Sequence, residues 1–157
     1  MFFKILIFLI IFIKSSYSHE LRPAIANLNI YEKDNIINAS LTIRLNLEAI
    51  IAELDMSHSN TKVSKESDQY ESLRNMSAVE LLKKFNSKII NLQNKIYLTS
   101  ASSNYSLTLL NIDIPEVGNT DIIRDTIINF DIKNIKDEDL KFSWDKNLGS
   151  IILRVNS

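Results

Sequence analysis

Hydrophobic and polar positions alternate along much of this chain, most clearly from Ile37 to Leu47. Ile37, Ala39, Leu41, Ile43, Leu45 and Leu47 interleave with Asn38, Ser40, Thr42, Arg44 and Asn46. A period of two puts the apolar set on one face of a strand and the polar set on the other. Ala24 to Tyr31 has the same period, with Ala26, Leu28 and Ile30 opposite Asn27, Asn29 and Tyr31. Glu32-Lys33-Asp34-Asn35 separates the two runs and reads as a turn, so together they predict a β-hairpin.

The alternation is lost after Leu47. Glu48 to Leu54 reads as a short helix or as a strand end entering a loop. Ser57 to Met76 is polar and aperiodic and is expected to be the longest irregular segment. Loops beyond about 12–15 residues often carry function. Ser77-Ala78-Val79-Glu80 has the form of a capping box, in which Ser77 and Glu80 satisfy each other's backbone amides. Leu81, Leu82, Phe85, Ile89, Leu92 and Ile96 then recur at steps of three and four. That spacing predicts one amphipathic helix over Ala78 to Asn94, lying against the sheet or capping its end.

Period two resumes at Tyr97. Tyr105, Leu107 and Leu109 share one phase, while Leu110, Ile112 and Ile114 share the opposite one. A one-residue slip of phase predicts a β-bulge near Leu109 and Leu110. Pro115 ends that strand. Ile122 to Ile132 reads as a long strand and Leu140, Phe142 and Trp144 as a short one, with Trp144 in the core. Asp145 to Gly149 reads as a turn from which Ile151, Leu153 and Val155 pair back in a closing hairpin. The expected fold is mainly β: an immunoglobulin-like antiparallel β-sandwich of about seven strands with one inserted amphipathic helix. The loop and helix insertion spans about 55–96 of a single domain.

The first residues change the setting in which this domain is read. One lysine precedes an unbroken apolar run, Ile5 to Ile13, and Ser16 and Ser18 supply a small-x-small pattern. The run is shorter than the roughly 20 apolar residues needed to cross a bilayer. Residues 1–18 therefore read as a cleaved secretory signal, leaving a domain over 19–157 that begins at His19. The chain holds no cysteine, which removes disulfides, thiol catalysis and thiolate metal sites. An exported domain without disulfides relies on its core, which fits a bacterial periplasm. The formal charge is −1 and no basic block occurs, so the chain lacks the electrostatic footprint of a nucleic-acid binder. The Asn38, Asn75 and Asn104 sequons are what an Asn- and Ser-rich chain produces by chance.

Two histidines carry the sharpest chemical idea. Cleavage after Ser18 would give His19 a free α-amino group, and that amine with its ring nitrogen can chelate copper. His58, in Asp55-Met56-Ser57-His58, would complete a histidine brace, with Asp55 as a nearby carboxylate. The candidate metal ligands are thus His19, His58 and Asp55, and the candidate ions copper or nickel. The plainer reading is a solvated terminus and a solvated loop histidine. In the first residue expected after cleavage, His19, in fold class and in its Asp-x-x-His, the chain resembles the periplasmic copper carriers of bacterial copper resistance. It departs from their tighter Asp-x-His and lacks their Met-rich stretches.

A broader likeness rests on three segments. They are His19-Glu20-Leu21-Arg22-Pro23-Ala24-Ile25, the strand from Leu41 to Ile50, and the closing Leu148 to Val155. These resemble the extracytoplasmic domain that precedes membrane proteins of the HupE/UreJ type. That resemblance implies a membrane-protein partner in a metal-transport or metalloenzyme-maturation system, although no transmembrane bundle follows Ser157 in this sequence.

Other chemistry is thinner. Asp113, Glu116, Asp121 and Asp125 gather near one strand end without a recognised catalytic or calcium spacing, so a hydrolase is the weakest reading. With only Gly118 and Gly149, the chain cannot build a glycine-rich phosphate loop. Arg22 and Arg44 are candidate partner contacts. The expected function is a non-enzymatic, exported binding or interaction module, with a copper-type carrier as the alternative. Titration of Cu(II) and Ni(II) into the processed protein tests that alternative. A carrier would bind Cu(II) tightly and one to one, and His58→Ala would abolish the binding.

Overall fold

The computed structural model describes residues 22–54, 56, 65–136 and 139–157. Strands β1 (Ala24–Lys33) and β2 (Ile36–Asn46) form the expected hairpin, with Leu28 opposite Leu41 and Ala26 opposite Ile43. Lys33 pairs with Ile36, so the loop is only Asp34 and Asn35. Both have positive φ, 55° and 58°. A two-residue loop needs that geometry to match the strand twist, and Asp and Asn tolerate it.

The other strands are β3 (Ile96–Thr99), β4 (Asn104–Tyr105), β5 (Thr108–Asp113), β6 (Asp125–Ile135), β7 (Lys141–Trp144) and β8 (Ile151–Asn156). They form a five-stranded sheet in the order β5-β6-β2-β1-β8 and a three-stranded sheet in the order β4-β3-β7. The mainly β, sandwich-like fold expected from the alternation is therefore the fold the chain adopts. The expected bulge is also present: pairing of β5 with β6 steps from Leu109↔Phe130 to Asn111↔Asn129. Leu110 is left over and stands 61% exposed. A second bulge lies in β6, where Ala39↔Ile132 is followed by Ile37↔Ile135. Asn134 absorbs it at φ 57° and its amide donates to Asn38 Oδ1 at 3.3 Å.

Among the described residues four α-helices, rather than one, join the strands: α1 (Leu47–Ala52), α2 (Lys65–Arg74), α3 (Ala78–Asn86) and α4 (Ile89–Gln93). The single helix expected over 78–94 is broken at Ser87 and Lys88. Ser87 Oγ donates to Lys84 O, while Lys88 Nζ is drawn to Ile51 O and Glu53 at the end of α1. The Ser77–Glu80 capping box is present at the start of α3. Within the segment expected to be irregular, α2 is helical. It buries only Tyr70 and Leu73 of its apolar residues, one turn apart, so its sequence shows almost no period.

The inward phases of the sheets and helices share one core. Ala26, Leu41, Ile43, Ile128, Phe130 and Ile132 of the large sheet are fully or almost fully buried. Ile96 and Leu98 of the small sheet, Leu47 and Ala49 of α1, and Leu81 and Phe85 of α3 close over them. Trp144 packs against this core and its indole N–H donates to Gly149 O at 2.9 Å. Among the described residues, no helix is long and apolar enough to cross a membrane.

The closing hairpin is where the structure differs most from the expectation. β7 pairs with β3, and β8 leaves it for the other sheet, lying parallel to β1 with Ala24↔Ile151 and Leu28↔Val155. The sandwich is thus antiparallel except at this one pair. A 3₁₀ turn over Lys146–Leu148 buries Leu148, and Gly149 then redirects the chain at φ 80° and ψ −166°. That conformation is essentially restricted to glycine. A Cβ there would also lie 2.8 Å from Met56 Cβ. Gly149→Ala is expected to cost about 1–3 kcal/mol from backbone strain alone, measured by chemical denaturation.

Candidate functional site

Among the described residues, the fold does not draw the side chains singled out for chemistry into one cluster. His19, His58 and Asp55 lie outside the described residues. The four acids near the end of β5 each have separate surroundings. Glu116 accepts from the Ala78 amide at the start of α3 (3.3 Å), and Asp125 faces Arg44 across β6 and β2 (3.8 Å). Asp113 and Asp121 are exposed. Arg44 is therefore locally paired, and Arg22 is exposed. Among the described residues, no group of three or more metal-ligating side chains is arranged to hold an ion.

The strongest electrostatic feature escaped the sequence reading. Glu48, in the first turn of α1, accepts from Arg124 Nε at 2.7 Å, and the two side chains are only 2% and 9% exposed. Arg124 Nη1 also donates to Met76 O (3.0 Å) and Pro115 O (3.3 Å), and Nη2 approaches Leu73 O. One guanidinium thus ties α1, the α2–α3 turn and the β5–β6 connection together. Its planar fork of donors suits this task as an ammonium would not. Asn46 extends the cluster: its side chain caps α1 by accepting from Ala49 N, and its amide donates to Tyr70 OH at 2.8 Å. Burial pushes the Tyr70 hydroxyl above its ordinary pKa, partly offset by the Asn46 bond. Arg74, 5% exposed, stacks over the Tyr70 ring at 5.4 Å and pairs with Glu71 at 3.6 Å. A lone Glu in a polar-to-apolar transition gave no sign of this, because its partner lies 76 residues away in sequence.

The arrangement is a structural brace, while the open surface lies at the opposite side of the large sheet. There, among the described residues, β8 is the edge strand and pairs on one side only. Its alternate residues sit on the core phase, beside Ala24, Ala26 and Leu28, which are buried. Yet Leu153 is 38% and Val155 55% exposed. On the other face Ile152 is 49% exposed. β8 holds no Pro and no Lys, the residues that commonly blunt an edge; Arg154 is its single charge. The sequence reading missed this edge because it paired β8 with β7.

The brace is testable on its own. Glu48→Gln and Arg124→Met are each expected to destabilise by about 3–5 kcal/mol, since each leaves a buried charge unpaired. Glu48→Gln combined with Arg124→Met is expected to cost less than the two single substitutions together, read from a double-mutant cycle by urea denaturation. No family model, no curated protein and no solved structure matches this chain.

Proposed function

We propose that this chain is a non-enzymatic interaction module that docks an extended segment of a partner protein onto the β8 edge. The observation that carries this reading is the edge itself: among the described residues β8 pairs on one side only, exposes Leu153 and Val155 on one face and Ile152 on the other, and holds neither Pro nor Lys. Strand addition draws its affinity from main-chain hydrogen bonds and its selectivity from alternate side chains. Leu153 and Val155 offer one apolar row, and Ile152 offers a second on the opposite face. The apolar leader at residues 5–13 favours an exported setting, in which the partner is a membrane-embedded protein presenting an extracytoplasmic segment. The likeness to HupE/UreJ-type domains points the same way and supports a metal-handling system as the context.

A photoreactive benzoylphenylalanine in place of Val155, in the producing cell, tests the reading. The expected result is one adduct in the membrane fraction, mapping by mass spectrometry to a single extended segment of one membrane-embedded protein. Ile152→Lys in the same chain is expected to remove that adduct with a stability change of no more than about 0.5 kcal/mol, as usual for surface positions. Adducts only between copies of this chain, or none, would overturn it.

A further inference from the structure

A second open feature lies away from the β8 edge and carries its own argument. A groove of about 860 Å³ runs between the end of α1, α4 and the 3₁₀ turn before β8. That volume falls in the range of small-molecule sites, roughly 300–1,000 Å³. Its floor is apolar, with Leu54, Leu92 and Leu148 each buried. Its rim carries Lys88, Lys95 and Lys146.

Among the described residues that line it, three lysines stand against one acid, Glu53, so their charges do not cancel. Glu53, at the αL cap of α1, is bound by Lys88 at 2.5 Å, and that hydrogen bond holds its carboxyl below its ordinary pKa. Lys88 is further fixed by Ile51 O at 3.1 Å. The charge of Lys95 adds a smaller pull on the same carboxyl, so one acid faces three lysines at this rim. Lys95 and Lys146 make no ion pair with any described residue, and Lys146 is exposed on the turn. Asn91, Asn94 and Asn147 add amides that can donate to an anion. An apolar floor under a surplus of positive charge is complementary to a ligand with an apolar body and an anionic head.

We propose that this groove binds a free amphiphilic organic anion, with its apolar body on Leu54, Leu92 and Leu148 and its carboxylate between Lys95 and Lys146. The site does not depend on the β8 edge and shares none of its residues. Lysines serve such a ligand as flexible point charges, so the groove selects by charge sign and apolar size rather than by a fixed bidentate fit.

The probe is decanoate, below the concentration at which it aggregates. Trp144 is the only tryptophan, and its bond to Gly149 O places it beside the Lys146–Leu148 turn, so its fluorescence reports on the groove. The expected result is saturable binding of decanoate, at least tenfold tighter than decyltrimethylammonium. Lys95→Glu with Lys146→Glu is expected to weaken decanoate at least tenfold and reverse the preference, while Lys83→Glu on α3 leaves both unchanged. If the double variant fails to fold by circular dichroism, Lys146→Glu alone carries the test, with a loss of at least threefold. Equal binding of both amphiphiles, affinity unchanged by charge reversal, or no saturation would overturn the proposal. So would binding to phosphatidylglycerol vesicles without binding to free decanoate. Loss of this binding leaves the Val155 crosslink untouched, so the two readings fail separately.

Discussion

The inward row of β2 is the constraint on which the molecule depends. Ala39, Leu41, Ile43 and Leu45 are all at most 3% exposed and sit between β1 and β6, so one strand fixes two registers. A shift of one residue would turn this whole row to the polar face and bring Asn38, Ser40, Thr42 and Arg44 inside. The polar face has its own cross-strand order, with Thr42 donating to Asn129 at 2.7 Å and Asn156 donating to Asn29 at 2.7 Å. Both faces therefore specify the same alignment. The two bulges, at Leu110 and Asn134, take up the irregularity at the flanks and leave the centre regular.

At the end of this strand, a polar cluster takes over from apolar packing. Asn46 caps α1 and binds Tyr70, and Glu48 binds Arg124, which in turn gathers three backbone carbonyls. The helices α1 and α2 are short or nearly featureless in pattern and would not persist by propensity alone. Buried polar groups hold them because each is expensive to leave unpaired and each has a defined direction. Such a pair contributes more to a unique arrangement than to net stability, since desolvating both charges offsets much of their attraction.

With packing and the brace concentrated around β2 and α1, the surfaces left for recognition lie at the margins. The β8 edge exists because β8 crosses to the large sheet and joins it as its outermost strand beside β1. The lysine groove exists because α3 and α4 part at Ser87 and Lys88, letting Lys88 turn toward α1. Both features arise from joints between elements. That is where the backbone leaves a regular lattice and side chains of different segments converge.

The sequence by itself determined the elements that depend on neighbours a few residues apart. The β1–β2 hairpin, its turn, the Ser77 capping box, the phase slip at Leu109 and Leu110 and the mainly β class all follow from local periodicity and turn chemistry. The tertiary structure alone decided what depends on distant partners. Helix α2 forms although its sequence lacks a period, because Tyr70, Leu73 and Arg74 find partners elsewhere in the chain. The pairing of Glu48 with Arg124 was invisible for the same reason. β8 has a strand pattern that any neighbour could satisfy. Its choice of β1 over β7 came from the Gly149 redirection and the buried Leu148, not from the alternation of its own residues. Periodicity tells a strand which face to bury; only the assembled core tells it which strand to lie beside.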